Sequence, residues 1–91
     1  MANILEIYDK SKRKIYLPNE RYKHIVKHPE TNNKLIYIEE AVKSPDFIEE
    51  SLNKEKLYYY KYIKKERKYL MVVVKLINGE GKILTAYLIE K

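Results

Sequence analysis

YLMVVVKLI, residues 69–77, is the most continuously apolar stretch of the chain. Three consecutive valines favour a strand over a helix, because β-branched side chains pack well on a pleated surface. Charged residues precede the stretch (KKERK, residues 64–68) and a glycine-containing turn follows it (NGEG, residues 78–81), so a buried central strand is predicted. Its even positions are all aliphatic, whereas its odd positions include Tyr69, Met71 and Lys75. One face of the strand is therefore expected to lie in the core and the other to be a functional surface.

Length and composition limit the class of protein. The 91 residues predict a single small domain, residues 1–91, with one modest core. A net charge of +6 points to nucleic acid, an acidic protein or a membrane surface as partner, or to a lysine-rich surface that is merely solvated. Without cysteine there is no disulfide, thiolate zinc site or cysteine nucleophile. No apolar run approaches the roughly 18 residues of a membrane span and no leader opens the chain, so a cytoplasmic protein without a membrane partner is expected.

The order of apolar and turn-forming segments predicts an α+β fold. Residues 4–8 and 12–17 form a hairpin, a short helix begins at Pro18-Asn19 and ends before Pro29, and a second helix covers residues 34–43. Strands follow at residues 57–63, 69–77 and 82–90, with Phe47-Ile48 a short strand or a connector. We therefore predict two N-terminal helices packed on one face of an antiparallel sheet of about four strands, with a short N-terminal hairpin.

Matching the apolar faces of neighbouring strands predicts their register, because a slip of one residue turns the wrong face inward. Val74 is then opposite Ala86, and Lys75 is opposite Thr85. In the strand at residues 57–63, burial of Lys61 is unfavourable, so the three even-numbered tyrosines are predicted to cover the aliphatic face. The opposite face, open to solvent, is predicted to carry lysine, threonine and tyrosine side chains: Tyr59, Lys61, Lys75, Thr85 and Tyr87.

Both histidines lie in RYKHIVKHPE, residues 21–30. Arg21, His24 and His28 share one helical face at positions i, i+3 and i+7. In the first interpretation, the two histidines are surface residues on a basic helix. In the second, they are two ligands of a metal site, but Glu20 and Glu30 are unconvincing as a third ligand and no metal is expected. The third interpretation is acid–base catalysis.

Cleavage of RNA next to a 2′-hydroxyl needs one group that takes the hydroxyl proton and another that protonates the leaving oxygen. Histidine titrates near neutrality and can do either. Cations and hydroxyl donors must also stabilise the charged phosphate. No metal or cofactor is required. The residue types for this chemistry are present: His24 or His28 for proton transfer, Arg21 and Lys75 for the charge, and Thr85 and Tyr87 as hydrogen-bond donors.

Several motifs together resemble a known family. ERYKHIVKHPE, residues 20–30, resembles the "ERW-x-HI-xx-RHPE" signature of phage-type nuclease domains in the barnase–EndoU–colicin–RelE superfold. IEEAVKSPD, residues 38–46, resembles the "I-x-E-x-(I/V)-x-x-PD" segment of that family. YYY (58–60), VVVK (72–75) and LTAY (84–87) then follow in the family's order. The chain departs from the family at Tyr22, where tryptophan is usual, and at Lys27, where arginine is usual.

The resemblance implies a small metal-independent endoribonuclease, often a toxin or an effector, with RNA as substrate. An acidic, antitoxin-like inhibitor protein is a further partner to be considered. By position the resemblance assigns catalysis to His24 or His28, Lys75 and Thr85, with Arg21 and Tyr87 in support. His24 is slightly preferred as the proton-transfer group because it lies mid-helix and is more constrained than His28 at the helix end. Substrate binding is expected at Arg21, Tyr59, Lys61 and Tyr87. Two other functions stay open: a non-catalytic nucleic-acid-binding module, and a small domain that binds an acidic protein.

Overall fold

The computed structural model describes residues 3–25 and 35–90. Within these ranges the chain forms six strands and two helices. In chain order they are β1 (Asn3–Tyr8), β2 (Lys14–Pro18), α1 (Asn19–Ile25), α2 (Leu35–Lys43), β3 (Phe47–Glu50), β4 (Lys56–Ile63), β5 (Lys68–Ile77) and β6 (Glu80–Ile89). The predicted α+β class is confirmed, and β1 and β2 are the predicted N-terminal hairpin.

All six strands belong to one mixed sheet with the order β1-β2-β6-β5-β4-β3. The prediction of about four antiparallel strands was wrong in two respects. The N-terminal hairpin is part of the sheet, because β2 pairs in parallel with β6 through Ile15 and Tyr16. Phe47-Ile48, for which a short strand and a connector were both left open, belongs to a four-residue edge strand, β3, antiparallel to β4. The parallel pairing of β2 with β6 joins segments far apart in the chain, so the spacing of apolar residues does not reveal it.

The core lies between the helices and one face of this sheet, which we call the core face. α2 contributes three fully buried side chains on one stripe, Ile38, Ala41 and Val42, while Glu40 and Lys43 lie on its exposed side. α1 contributes Ile25 to the same cluster. The sheet contributes aliphatic residues at alternating positions, most of them fully buried: Ile7, Ile15, Leu17, Leu57, Leu70, Val72, Val74, Ile83 and Ala86. Neither described helix covers the opposite face, which we call the open face.

The register between β5 and β6 differs from the prediction by two residues from Tyr69 to Val73 and by three residues from Val74 to Ile77. Val72, and not Val74, is opposite Ala86, and Lys75 is opposite Lys82. The register changes between Val73 and Val74, where β6 contains one extra residue, Leu84. This β-bulge lets both Ile83 and Ala86 reach the core although they are three residues apart.

The predicted orientation of β4 was also wrong. Its odd residues face the core and its even tyrosines lie on the open face, because Tyr59 pairs with Val72 and Tyr60 with Met71. Lys61 lies on the core face without being fully buried, because its side chain is only half-buried. Its Nζ donates a hydrogen bond of 2.9 Å to the Ser44 carbonyl, directly after α2. A long lysine stem can pack beside a core while its charge reaches a helix end.

A buried hydrogen bond ties β4 to the turn between β1 and β2. The Tyr59 hydroxyl donates to Asp9 Oδ2 at 2.6 Å, and both residues are buried. β1 and β4 are four positions apart in the sheet, which is about 19 Å at the usual strand spacing. Two side chains cannot bridge that distance in a flat sheet. The sheet must therefore curl towards its helices.

Candidate functional site

Three lysines stand side by side across the open face. Lys56 of β4 pairs with Lys75 of β5, and Lys75 pairs with Lys82 of β6. Residues that are directly opposite in neighbouring strands have their side chains on the same face. These three residues are called the lysine row. Tyr16 of β2 continues the same line beyond Lys82.

The lysine row carries unbalanced positive charge. Like charges directly opposite each other destabilise a sheet. Over residues 3–25 and 35–90, no carboxylate forms an ion pair with any of the three lysines. Other cations of the molecule do have partners: Arg13 with Asp9 at 3.1 Å, Lys43 with Glu39 at 2.8 Å, and Lys14 with Glu6 at 3.6 Å. A hydrogen bond from Asn3 and the charge of Lys14 also lower the pKa of Glu6.

Hydroxyl groups lie next to the lysine row on the same face. Thr85 is opposite Val73, one row away from Lys75, and Tyr58 is opposite Val73 from the other side. Tyr87 lies one row further on, opposite Met71, and is 38% exposed. Diagonal neighbours of this kind have Cα atoms about 7–8 Å apart, so a single phosphate can contact both a lysine and a hydroxyl.

Four aromatic rings occupy the other end of the open face. We call Phe47, Tyr60, Tyr62 and Tyr69 the aromatic cluster. Phe47 stacks on Tyr60 with ring centroids 4.4 Å apart, and Tyr69 meets both Phe47 and Tyr62 edge to face, at 5.5 and 5.3 Å. The Tyr60 hydroxyl donates to Glu49 Oε1 at 2.7 Å. Burial and this carboxylate raise the pKa of Tyr60 to about 12.

Of the predicted catalytic residues, the structure brings Lys75 and Thr85 together and separates them from His24. Tyr87 also lies with Lys75 on the open face. His24 belongs to α1, which packs on the core face through Ile25, and its side chain is exposed to solvent. The sheet therefore lies between His24 and Thr85.

The other predicted site residues are also placed away from the lysine row, or lie beyond the described ranges. Arg21 is on α1, on the same side of the sheet as His24. Tyr59 and Lys61 were expected on the open face, and both placements were wrong. Tyr59 is fully buried, and burial and its contact with Asp9 raise the pKa of its hydroxyl. His28 lies outside the described residues.

Lys56 and Lys82 were missed by sequence reasoning, although a signal for Lys82 was present. Asn78-Gly79 is a two-residue hairpin turn, and both residues have positive φ, 52° and 82°. Such a turn sets the residues on either side of it, Ile77 and Glu80, opposite each other. Counting outwards by two residues gives Lys75 opposite Lys82. The prediction matched the apolar faces of the two strands along their whole length and did not use the register that this turn sets.

The candidate site is an open surface of the sheet and not a cavity. Over residues 3–25 and 35–90 the surface forms no pocket, and no three His, Cys, Asp or Glu side chains are arranged to hold a metal ion. In the same ranges no helix combines the length and apolarity required to cross a membrane. What this face offers chemically is positive charge, hydroxyl donors and aromatic rings.

No family model, curated protein or solved structure matches the chain. The resemblance of residues 20–30 and 38–46 to phage-type nuclease domains therefore depends on those motifs alone.

Proposed function

We propose that the protein binds RNA through its open face. The observation that carries the proposal is the lysine row, Lys56, Lys75 and Lys82, in which three cations lie in register without an anionic partner among the described residues. The phosphate groups of RNA supply the missing negative charge. The exposed ring of Tyr87 and the hydroxyl of Thr85, on the same face, add the contacts that single strands prefer.

The simplest competing explanation for the lysine row is a solvated surface without a ligand. The ion pairs of other lysines in the molecule do not favour this explanation. Lys14 and Lys43 are solvated lysines, and each has a glutamate within ion-pair distance. The lysine row instead places like charges opposite each other on neighbouring strands, which costs stability in the absence of a ligand. A bound polyanion removes this cost, which supports a binding surface over a solvated one.

Salt dependence tests the proposal. Each phosphate neutralised on a single strand contributes about −0.7 to the slope of log affinity against log salt, so three lysines predict a slope near −2. The affinity for a labelled RNA oligonucleotide, measured by fluorescence anisotropy, is expected to fall about 20-fold between roughly 50 and 200 mM salt. Lys75→Gln should make the slope shallower by about 0.7. Lys43→Gln on α2 is the matched control, since it removes one charge from the other side of the sheet.

Equal slopes for the two variants would show that RNA, if bound, is held elsewhere. An absence of RNA binding at low salt would reject the proposal altogether, and binding to an acidic protein would then be the function to test. An acidic inhibitor protein would compete with RNA for the lysine row, and its binding should be weakened by the same Lys75→Gln change.

Cleavage of cytoplasmic RNA, as a toxin or an effector, is a second candidate function. It is favoured by the position of Thr85 beside the lysine row, which gives a bound phosphate both a cation and a hydroxyl donor. The test is incubation of the purified protein with total RNA in a chelator. Because His24 and Thr85 are on opposite sides of the sheet, His24→Ala is expected to leave cleavage intact, whereas Lys75→Gln lowers it. Loss of cleavage in His28→Ala, with RNA binding retained, would assign proton transfer to His28.

A further inference from the structure

The aromatic cluster is unusual for a sheet face that no described helix covers. One face of an antiparallel sheet is commonly solvated, and its outward positions are then polar. Here β4 and β5 instead place Tyr62 opposite Tyr69, and β3 adds Phe47 opposite Tyr60. Of the four residues only Tyr62 is exposed, at 41% of its surface. Phe47 and Tyr69 are partly buried and Tyr60 is buried, so the cluster presents one exposed ring on a support of packed rings. An aromatic ring left exposed and held in place by its neighbours is suited to stacking on a ligand.

Positive charge flanks the aromatic cluster at both ends. Beyond Tyr62 and Tyr69 lies the turn between β4 and β5, where Lys64, Lys65 and Arg67 are exposed. In the other direction, six residues along β5 lead from Tyr69 to Lys75, a distance of about 20 Å at the usual rise per residue. A chain lying along β4 and β5 would therefore meet cations, then rings, then the lysine row.

We propose that the aromatic cluster is a base-stacking subsite that gives the protein a higher affinity for single-stranded RNA than for duplex RNA. This inference rests on the proposed RNA-binding function and adds its specificity. The exposed face of Tyr62, supported edge to face by Tyr69, stacks on an unpaired base, while the cations at either end hold the phosphates. In a duplex the bases are stacked on each other and their faces are not accessible, so duplex RNA can use only the cations.

The two kinds of contact are separable because they recognise different parts of the ligand. Lysines bind phosphates, so their removal weakens every nucleic acid and reduces the salt slope. A stacking ring recognises a base, so its removal weakens only ligands that have an accessible base and leaves the salt slope unchanged. A purely structural role of Tyr62 would weaken all ligands equally through loss of folded protein.

The experiment compares three probes by fluorescence anisotropy at one salt concentration. They are a uridine homopolymer about 12 nucleotides long, the same sugar–phosphate chain without bases, and an RNA duplex of equal length. The variants are Tyr62→Thr, which removes the ring, and Tyr62→Phe, which keeps it. Tyr8→Thr is the matched control, because Tyr8 is an exposed tyrosine on the same face but on the distant strand β1.

Tyr62→Thr is expected to weaken binding of the uridine homopolymer by about fivefold to 100-fold and to leave the affinities for the base-free chain and the duplex unchanged. Tyr62→Phe should restore wild-type binding, and Tyr8→Thr should have no effect. If Tyr62→Thr has no effect on the homopolymer, or weakens all three probes equally, the stacking subsite is rejected while RNA binding stands. If the wild-type protein binds none of the probes, both the proposed function and this inference fail. A concentration-dependent dimer that Tyr62→Thr dissociates would instead identify the cluster as an interface between two copies.

Discussion

Removal of one hydroxyl, in Tyr59→Phe, tests the curl of the sheet. The Tyr59 hydroxyl donates to Asp9 Oδ2 at 2.6 Å, and Tyr59 has no exposed surface. A hydrogen bond to a charged acceptor contributes about 1.5–3 kcal/mol. Asp9 keeps three further bonds, from the Ser11 amide, the Arg13 amide and Arg13 Nη1, so its carboxylate is not left without donors. The expected loss is therefore at the lower end, about 1.5–2 kcal/mol.

The assay is urea unfolding followed by circular dichroism, with thermal melting alongside. For a domain of this size each kcal/mol corresponds to about 4–8 °C, so the melting temperature should fall by about 6–16 °C. Tyr58→Phe is the matched control, since it removes a hydroxyl from the adjacent residue, whose side chain lies on the open face. Its expected effect is within about 0.5 kcal/mol.

Asp9→Ala completes the test as a double-mutant cycle. It removes the acceptor for Tyr59 and the ion pair with Arg13, leaving a buried hydroxyl without its acceptor, and should cost about 3–5 kcal/mol. Adding Tyr59→Phe to Asp9→Ala should then cost little more, because the shared bond is already lost. If Tyr59→Phe matches Tyr58→Phe, or if the two losses are additive, the bond between β4 and the β1–β2 turn does not hold the sheet in its curled shape.

Two further predictions concern Tyr60 and Gly81. Because the pKa of Tyr60 is raised to about 12, the folded state keeps a phenol proton that the unfolded state loses near pH 10, so the free energy of unfolding should fall as pH rises from about 10 to about 12. Below pH 10 Tyr60 contributes no pH dependence. Tyr60→Phe should flatten the fall in the free energy of unfolding above pH 10, measured by urea titrations at several pH values. An unchanged fall would contradict the assignment of this pH dependence to Tyr60. Gly81→Ala would place a Cβ 2.5 Å from Ile15 Cδ1 and 2.6 Å from Val74 Cγ1, and should destabilise the protein by about 1–3 kcal/mol in urea unfolding. Wild-type stability in that variant would show that β2 and β6 pack more loosely than the structure indicates.

The positions of the elements could be predicted from the sequence because their signals are local. The apolar run of residues 69–77, the proline after Ser44 and the polar turn after Tyr8 mark boundaries that the structure reproduces to within a few residues. Strand order was not accessible in this way. The parallel pairing of β2 with β6 joins Ile15 to Gly81, and no pattern within either segment specifies its partner.

The candidate site could be predicted only in part, for reasons visible in single residues. The prediction assigned Lys75, Thr85 and Tyr87 correctly to the open face, because the alternation of aliphatic and mixed positions along the central strand was clear. Lys61 was assigned to the wrong face because the prediction assumed that a charged side chain does not lie on the core face. A lysine near a helix end needs only one carbonyl, and Ser44 provides it.

The bulge at Leu84 explains why the lysine row and Thr85 share a face. In a regular strand, residues three positions apart point to opposite faces, so Lys82 and Thr85 could not both lie on the open face. Leu84 adds one residue to β6 between the pairs Val74–Ile83 and Val73–Thr85, and the alternation changes there. Ile83 is thereby turned into the core while Lys82 is turned outwards. Bulges often re-aim a side chain next to a functional site, and here the same residue that interrupts the ladder brings a cation and a hydroxyl onto one surface.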